Sequence, residues 1–318
     1  MYTIRKESLG RYILCTIQNE DTGEYFSFFP EYGASVNQLA LQGKDGMLRT
    51  LLYESRSENQ IRAEGISMYK GAKLFPFPNR INGGAYMWQG KQYQLPINEI
   101  QEGHAHHGLV YRSCFNLVEE RASGDEGAVA VEYLYDKETE GYPFKIRLRI
   151  VFALNAQGFS CRTIVTNEDQ VPIPFADGWH PYFQLDASIE HTSLCFSPLE
   201  EMEVNEKMIP TGKTRHTTSF ASPKTFGSEH FDTCFRLHKE PGQQLFQAEL
   251  RDEKQAGKLR LWLKPPYSYL HVYTPPARNC VALEPMTSPA DVFNNQMDLL
   301  VLAPGEKKEL EWGLQLSS

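Results

Sequence analysis

The sequence lacks paired cysteines, long hydrophobic runs and any excess of positive charge. Its six cysteines stand singly, without a CxxC pair or a zinc-ligand spacing, so we expect free thiols in a reducing compartment. No apolar run approaches the length of a membrane span, and the first residues contain no apolar signal-peptide core. Together these absences predict a cytoplasmic protein.

The charge balance of the chain is acidic. Lysine and arginine number 32 against 40 aspartate and glutamate residues, which gives a formal net charge of −8. Nucleic acids and anionic membranes are bound by basic surfaces, so the composition argues against either of them as a partner. A neutral small molecule is compatible with this charge.

Alternation of apolar and polar residues at a period of two is the dominant pattern. Between Phe144 and Leu154 every second residue is apolar, and basic residues fall on the opposite face. This pattern is typical of a half-buried β-strand. Comparable alternation predicts further strands at 11–17, 129–135, 158–167, 258–264, 269–274 and 309–316, and a tight hairpin over 86–95 with its turn at 90–92.

Helical signals are sparse, because only 54–62 and 295–300 suggest short helices and neither carries a long apolar stripe. Strand signals run through the whole chain and are connected by turns rich in Gly, Pro and Asn. This combination predicts an all-β fold, a large antiparallel β-sandwich, instead of alternating α/β layers. No repeat, linker or abrupt charge shift divides the sequence, so we expect one domain over residues 1–318.

Two stretches interrupt the alternation, 74–81 and 103–108, and a third stretch of interest is the aromatic segment 175–183. Such irregular segments within a strand-rich scaffold are candidate sites, because loops carry function. In the third stretch, His180 lies among aromatic residues and before Pro181, which favours extended backbone. Aromatic walls with a few polar groups suit a carbohydrate. Taken alone, this histidine is either a core residue or a group that exchanges a proton near neutral pH.

The cluster His104, His106 and His107 raises the question of a metal site. A metal-binding β-barrel of the cupin type needs an acidic residue soon after the paired histidines, and here the next carboxylate is Glu119. An HExxH motif is absent as well. We therefore expect no bound metal and interpret His107 as a neutral hydrogen-bonding residue of a site. A solvated, histidine-rich turn is the alternative.

Two charged residues stand out near strand ends. Glu284 follows the apolar run 280–283, where partial desolvation raises the pKa of a carboxyl group and makes its carboxylate a stronger base. Arg80 follows a proline-rich approach, and its planar fork of donors can grip a pair of hydroxyls. The alternatives are a carboxylate satisfied by neighbouring amides or an arginine, and a surface arginine beside a turn.

Taken in chain order, these stretches resemble the aldose 1-epimerase (galactose mutarotase) family. Seven short motifs in the family's order make the resemblance specific. They are Pro76–Gly84 with Tyr86, His107–Gly108, Gly178–Phe183, Ile209–Gly212, Phe231–Asp232, Tyr273–Thr274, and Leu283–Pro285 with Pro289 and Asn294.

The resemblance implies a large β-sandwich, the galactose mutarotase-like supersandwich, with a sugar cleft on one face. It assigns Glu284 as the general base and His180 as the general acid of an anomer interconversion that needs no metal or redox cofactor. It also implies that His107, Asn79, Arg80 and Asp232 bind the substrate. To these we add His271, by its position before Tyr273–Thr274, and Trp179, from the aromatic segment around His180, as expected substrate-binding residues. His271 stands where the better-known galactose mutarotases carry a hydroxyl-binding glutamine, so the sugar specificity stays open.

Three functions remain open from the sequence. The first is a mutarotase of a free hexose, and the second is a mutarotase of a hexose 6-phosphate. The second requires a phosphate clamp, for which Arg112 and Lys73 are the candidates near the site motifs. The third is a sugar-binding domain without catalysis. We expect a small-molecule sugar as the partner, no nucleic acid or membrane partner, and a monomer or weak homodimer.

Overall fold

The computed structural model describes residues 1–185, 188–197, 199–239, 242–252 and 257–317. Within these ranges the backbone is organised as antiparallel strands with few and short helices. The helices are α1 (Glu58–Ser67) and α2 (Val292–Asn295), with single 3-10 turns at Asn82–Gly84 and Ile189–His191. None of the helices in these ranges has the length and apolar character needed to cross a membrane.

The strands of the first half are β1 (Tyr2–Leu9), β2 (Tyr12–Asn19), β3 (Tyr25–Phe29), β4 (Ser35–Gln42), β5 (Leu48–Thr50), β6 (Lys73–Leu74), β7 (Arg80–Ile81), β8 (Ala85–Trp88), β9 (Lys91–Gln94), β10 (Ala105–His106), β11 (Asn116–Ala122), β12 (Glu126–Asp136), β13 (Lys145–Asn155) and β14 (Gly158–Asn167). Those of the second half are β15 (Ile173–Phe175), β16 (Gly178–Trp179), β17 (Tyr182–Phe183), β18 (Thr192–Phe196), β19 (Leu199–Val204), β20 (Pro210–Thr217), β21 (Lys224–Thr225), β22 (Asp232–Leu237), β23 (Phe246–Asp252), β24 (Lys258–Leu263), β25 (Tyr269–Tyr273), β26 (Val281–Met286), β27 (Leu300–Leu302) and β28 (Lys307–Ser317).

Three large sheets contain most of these strands. A five-stranded sheet has the order β1-β2-β3-β4-β5, and a nine-stranded sheet has the order β11-β12-β13-β14-β28-β24-β23-β18-β21. An eight-stranded sheet has the order β20-β19-β22-β25-β26-β16-β6, with β17 also paired to β26. The remaining pairs are β10-β7, β15-β27 and β8-β9.

The alternation in the sequence is realised as alternating burial. Along β13, apolar residues are buried and the basic residues between them are partly exposed. The strands predicted at 129–135, 158–167, 258–264, 269–274 and 309–316 are all confirmed within a few residues, and 11–17 corresponds to β2. The predicted all-β architecture is therefore confirmed.

Three local predictions need correction. The hairpin turn lies at Gln89 and Gly90 instead of 90–92. Both residues have positive φ, which is the conformation that a two-residue hairpin loop of this type requires. The first helix is shifted to Glu58–Ser67 and begins after Ser57, whose side chain accepts a hydrogen bond from the backbone N–H of Gln60. The helix expected at 295–300 is wrong, since α2 ends before the left-handed residue Gln296.

The register of three neighbouring strands prepares the site. In the eight-stranded sheet β25 lies between β22 and β26, and His271 is the cross-strand partner of both Cys234 and Glu284. Directly opposed residues on neighbouring strands project to the same face of a sheet. Asp232, two residues before Cys234, falls on that face as well. The fold thus places a histidine and two carboxylates side by side.

Candidate active site

A cavity of about 310 Å³ lies against β22, β25 and β26. Its other walls come from the end of α1, the turn at 79–80, the segment 98–107 and the residues that follow β16. Seven of the eight predicted site residues line it: Asn79, Arg80, His107, His180, Asp232, His271 and Glu284. The stretches that interrupt the strand pattern therefore converge on a single cleft.

Glu284 is a buried carboxyl group on β26, a strand whose residues are all buried. Burial removes water from its carboxylate and raises the pKa of Glu284 to about 7, while the nearby charge of His271 opposes that rise. Its Oε2 atom has no hydrogen-bond partner among the residues described. Glu284 is thus a carboxyl group that exchanges a proton near neutrality.

His180 directly follows β16 and is held by its backbone. Its N–H donates to the carbonyl of Ala72 at 3.0 Å, and its carbonyl accepts from the N–H of Gly71 at 2.9 Å. Nε2 of the ring lies 3.3 Å from Oε1 of Glu284, and the ring stacks on Tyr182 with centroids 4.9 Å apart. Burial, assisted by the charge of His271, lowers the pKa of His180 to about 3.

Asn79 and His107 support each other through two hydrogen bonds. The backbone N–H of His107 donates to the carbonyl of Asn79 at 2.8 Å, and the N–H of Asn79 donates to Nδ1 of His107 at 3.2 Å. Both residues have positive φ, a conformation that Asn and His adopt more readily than most residues. A Cβ atom at the adjacent Gly108, where φ is +77°, would lie 2.2 Å from the carbonyl oxygen of Phe75, so only glycine fits.

The hydrogen bond at Nδ1 also determines the tautomer of His107. Because Nδ1 accepts a hydrogen bond from the backbone N–H of Asn79, the ring proton of a neutral His107 must be on Nε2. Burial, together with the neighbouring His106, holds the pKa of His107 well below 6.5, so the ring is neutral. His107 therefore has an N–H donor at Nε2, and its side chain lines the cleft.

The same tautomer argues against a metal in this cleft. His107, His180 and Glu284 each offer a potential ligand atom, and these atoms lie within 4.8 Å of one another. A metal at Nε2 of His107 would require the ring proton to move to Nδ1, where it would meet the N–H of Asn79. The donor set does not fit a metal ion without loss of that hydrogen bond.

Asp232 and His271 form an ion pair at one side of the cleft. Nε2 of His271 lies 2.8 Å from Oδ1 of Asp232. Burial disfavours the imidazolium, but the charge of Glu284 and the hydrogen bond to Asp232 outweigh it and raise the pKa of His271 well above 6.5. Burial would also favour neutral Asp232, yet the hydrogen bond from His271 lowers its pKa. His271 is therefore a buried cation beside Glu284.

Arg80 is fixed by a carboxylate that the sequence did not reveal. Its Nε and Nη2 atoms donate to the carboxylate of Glu99 at distances of 2.7–3.1 Å, and Nη1 donates to Oδ1 of Asn79 at 3.3 Å. This leaves part of the guanidinium fork to meet a ligand. No signal in the sequence links Glu99 to Arg80, because the two are brought together only by the pairing of β7 with β10 and the adjoining turn.

Tyr69 is a second residue of the cleft that sequence reasoning missed. Its ring contacts His107 and His106 with centroids 4.5 Å and 5.2 Å away, and it lines the cavity just after α1. An aromatic ring at the edge of a polar cleft offers a surface for the C–H face of a sugar. A single tyrosine in a loop carries no local signal that would have identified it.

The prediction that Trp179 binds the substrate is wrong, because Trp179 does not line the cleft. Its side chain is fully buried and packs in the core against Phe152 and Trp312, with ring centroids 5.8 Å and 6.1 Å away. Successive residues of an extended segment point to opposite faces, so the backbone that directs His180 into the cleft turns Trp179 away from it. Tyr182, by contrast, lines the cleft.

The histidine cluster is not a solvated turn either. His104 and His107 are both buried, and Nδ1 of His104 accepts a hydrogen bond from the N–H of Gly83 at 3.1 Å. His104 therefore supports the turn beside Arg80, whereas His106 and His107 face the cleft. Three neighbouring histidines thus serve two different structural purposes.

Two buried polar atoms around the cleft lack hydrogen-bond partners among the residues described, namely Nδ1 of His180 and Oε2 of Glu284. A buried polar atom without a partner costs free energy, and such atoms are normally satisfied. Their concentration here indicates a site that a polar ligand completes. Donors and acceptors of this kind match the hydroxyl groups of a sugar.

Comparison with known proteins identifies the family of the chain. The aldose 1-epimerase family profile matches residues 15–315, and the chain belongs to that family. The uncharacterized protein YihR of Escherichia coli (strain K12) is 29% identical to it over 295 residues, which cover 91% of this chain and 89% of YihR.

Solved structures show the same fold. A galactose mutarotase-like protein from Clostridium acetobutylicum aligns with a TM-score of 0.88 at 19% identity, over 99% of this chain and 98% of that one. Galactose 1-epimerase from Lactobacillus acidophilus NCFM aligns with a TM-score of 0.80 at 16% identity, over 99% and 98% of the two chains. The chain thus has a galactose mutarotase-like β-sandwich fold.

Proposed function

We propose that the protein is an aldose 1-epimerase that interconverts the α and β anomers of an unphosphorylated aldose. The observation that carries the proposal is the buried Glu284–His180 pair, 3.3 Å apart, in a polar cleft with unpartnered donors and acceptors. Membership of the aldose 1-epimerase family supports the same conclusion. Paired groups of this kind suit general acid–base catalysis of ring opening.

In this reaction the Glu284 carboxylate removes the proton of the C1 hydroxyl. The C1–O5 bond breaks as C1 becomes an aldehyde, and the ring oxygen takes the proton from Nε2 of His180. Rotation about the C1–C2 bond turns the other aldehyde face toward O5. The ring then closes with the two proton transfers reversed, so the sum of the reaction is a change of configuration at C1.

The reactive form requires one proton on the pair. In the free protein that proton resides on Glu284 below about pH 7, because His180 has a pKa of about 3. Moving it across the 3.3 Å between Oε1 and Nε2 produces the carboxylate and imidazolium that act as base and acid. A pair without this proton has a base but no acid.

The remaining cleft residues suit the hydroxyls of the sugar. We assign hydrogen bonding to Arg80, Asn79 and His107 on one side, and to Asp232 and His271 on the other. Arg80 and His107 are donors to the ligand, and the Asp232 carboxylate is an acceptor with a side chain that is 44% exposed. Tyr69 adds an apolar surface for the C–H groups of the ring.

A hexose 6-phosphate is less well supported as the substrate. Of the two residues considered for a phosphate clamp, Lys73 is fully buried, with Nζ 2.5 Å from the Asp177 carboxylate. Arg112 lies over the ring of Tyr111, and neither residue lines the cleft. Arg80 does line it, but its charge is already balanced by Glu99. A doubly charged phosphate would need further unpaired cations.

A first prediction tests the proposed base. We expect Glu284→Gln to lower kcat for anomer exchange of D-glucose or D-galactose by about 10²–10⁴-fold, because the amide cannot accept the C1 hydroxyl proton. The measurement is NMR exchange between the anomers, corrected for the buffer rate. The matched control is Glu249→Gln on β23, outside the cleft, which is expected to keep wild-type kcat.

Two outcomes would contradict the proposal. One is the absence of any acceleration above buffer for a panel of aldoses by the wild-type protein. The other is full activity in Glu284→Gln. If the wild-type protein binds sugars in a calorimetric titration but accelerates none of them, the third function considered, a binding domain without catalysis, replaces the epimerase.

A further inference from the structure

The end of α1 and the turn that follows it form one wall of the cleft, the segment 66–69, called the α1 wall here. Its last residue is Tyr69, which packs against His107 with ring centroids 4.5 Å apart. Tyr69 has a φ of +50°, a conformation that is costly for a bulky side chain. A strained residue of this kind persists only where its surroundings hold it, and such residues are concentrated at functional sites.

Apolar packing contributes little to holding the α1 wall. Only Ile61 and Gly65 of α1 are buried, and Ile61 packs in a small cluster with Phe29 and Tyr32. Ile66, where the helix meets the cleft, is 54% exposed. A helix without an apolar stripe depends on polar contacts to fix its position against the sheets.

A buried ion pair supplies polar contacts at both ends of the α1 wall. Nζ of Lys70 lies 3.1 Å from Oε2 of Glu64, and the two side chains are 4% and 13% exposed. Glu64 precedes the wall and Lys70 follows it, so the ion pair closes a loop of the chain around the wall. Burial lowers the pKa of Lys70 to about 8, and the Glu64 carboxylate opposes that fall, so Lys70 is a cation at pH 7.

The segment after β5 anchors this ion pair to the body of the protein. The carboxylate of Glu64 accepts hydrogen bonds from the hydroxyl groups of Tyr53 at 3.0 Å and Ser55 at 2.7 Å. Nζ of Lys70 donates to Oγ of Ser55 at 2.5 Å and lies 4.9 Å from the centroid of the Tyr53 ring. None of these four residues lines the cleft, so the ion pair reaches a ligand only through the α1 wall.

We propose that Glu64 and Lys70 are positioning residues, whose ion pair holds the ring of Tyr69 where it meets the C–H face of the bound sugar. The proposal rests on the proposed function and extends it to two residues outside the cleft. Neither residue exchanges a proton with the sugar. Loss of the ion pair is expected to release Tyr69 from its strained conformation, which removes the ring from the sugar.

The test separates binding from turnover in the anomer exchange of D-glucose and D-galactose at pH 7. Glu64→Gln keeps the shape of the side chain without its charge, and Lys70→Met, the second variant, keeps an unbranched chain without the ammonium group. We expect each variant to raise KM by about tenfold, the size of one lost aromatic contact, and to keep kcat within about twofold of wild type. Glu284 and His180 are unchanged in both variants.

A double variant tests whether the ion pair acts through Tyr69. Tyr69→Ala alone is expected to raise KM by about as much as Glu64→Gln. In Glu64→Gln/Tyr69→Ala, KM is expected to stay within about twofold of its value in Tyr69→Ala, because an ion pair that acts through the ring has nothing left to position. Two independent effects would instead multiply.

Asp169→Asn is the matched control. Asp169 is a buried carboxylate paired with Lys137 at 3.2 Å, and it does not line the cleft. The substitution is expected to lower the denaturation midpoint, as Glu64→Gln does, but to leave KM and kcat at their wild-type values. Circular dichroism at the assay temperature verifies that each variant is folded.

Each other outcome overturns a defined claim. An unchanged KM in folded Glu64→Gln and Lys70→Met, or a fall in kcat at constant KM, refutes the positioning role and leaves the epimerase intact. Multiplied effects in the double variant refute action through Tyr69. An equal rise of KM in Asp169→Asn assigns the effect to lost stability and refutes the positioning role as well. No acceleration by the wild-type protein refutes the proposed function itself.

Discussion

Glu284 and His271 are opposed across β25 and β26, and the charge of one alters the pKa of the other. The His271 cation stabilises the Glu284 carboxylate and destabilises an imidazolium at His180. Asp232, paired with His271 at 2.8 Å, keeps that cation in place. Under the proposed function, the charge of His271 therefore adjusts the acid–base pair.

The pH dependence of catalysis follows from this pair. We expect kcat/KM to be level between about pH 3 and pH 7, the two pKa values of the pair, and to fall by about tenfold per pH unit above that range. The value of kcat/KM falls with rising pH because the reactive form requires one proton on the pair. That proton is lost as the pH rises through the pKa of Glu284. Anomer exchange measured against pH, with the buffer rate subtracted, checks this expectation.

A variant sharpens the pH test. His271→Gln removes the cation that opposes protonation of Glu284, so the fall in kcat/KM is expected at a higher pH than in the wild-type protein. Cys234→Ser, which changes the other cross-strand neighbour of His271 without removing the charge, serves as the control. A fall at the same pH in His271→Gln and wild type would exclude the electrostatic role of His271.

For individual residues, the sequence predicted which positions of the chain belong to the cleft better than it predicted their contacts in the fold. Short motifs located Glu284, His180, His107 and Arg80, which do converge on the cleft. Trp179 was assigned to it wrongly, because the motif gives the position of the residue but not the face to which it points. Tyr69 and Glu99 were missed, since each depends on tertiary contacts that no local pattern encodes.

Among the elements, Lys73 of the short strand β6 and Asp177, the residue before β16, form an ion pair behind the site. Nζ of Lys73 lies 2.5 Å from the carboxylate of Asp177 and donates to Thr163 at 3.1 Å, and both charged side chains are fully buried. Lys73 also lies over the ring of Trp179, 4.7 Å from its centroid. The pair links the strand before the 75–80 turn to the segment that ends in His180.

We expect Asp177→Asn to lower the free energy of unfolding by about 3–5 kcal/mol, because the substitution leaves a buried ammonium without its counter-charge. Chemical denaturation followed by tryptophan fluorescence measures the change. Asp136→Asn, which removes an exposed pair with Lys145, is the control and is expected to leave the denaturation midpoint unchanged. Equal losses in the two variants would contradict a special role for the buried pair.

Strand positions could be predicted from the period of two, but short elements could not. β6, β7, β10 and β16 contain two residues each and carry no periodic signal. They form because the loops that contain them are held against longer strands, as β16 is against β26 and β6. The elements nearest to the site are thus the ones that sequence patterns describe least well.

For the molecule as a whole, the last strand is a central one. β28 lies between β14 and β24 in the middle of the nine-stranded sheet, so it joins segments separated by about a third of the chain. Its buried side chains include Leu310 and Trp312, and the latter packs against Phe159 and Trp179. Alternation predicted this strand, but its neighbours follow only from the folded topology.

We expect Leu310→Ala to lower the free energy of unfolding by about 2–5 kcal/mol, because it leaves a cavity in a closely packed core. The activity on monosaccharides is expected to be retained at temperatures where the variant is folded, since Leu310 does not line the cleft. Thermal and chemical denaturation measure the loss. Val301→Ala, at a position that is 45% exposed, is the control, and a loss of the same size there would contradict the argument.

The single proton held by Glu284 and His180 has a thermodynamic consequence for the proposed reaction. Opening and closing the ring return that proton to the pair, whichever anomer entered and whichever leaves. The catalyst is therefore the same species before and after each turnover in either direction. It can only hasten the approach to equilibrium, and the final ratio of the two anomers remains the one that water alone would establish.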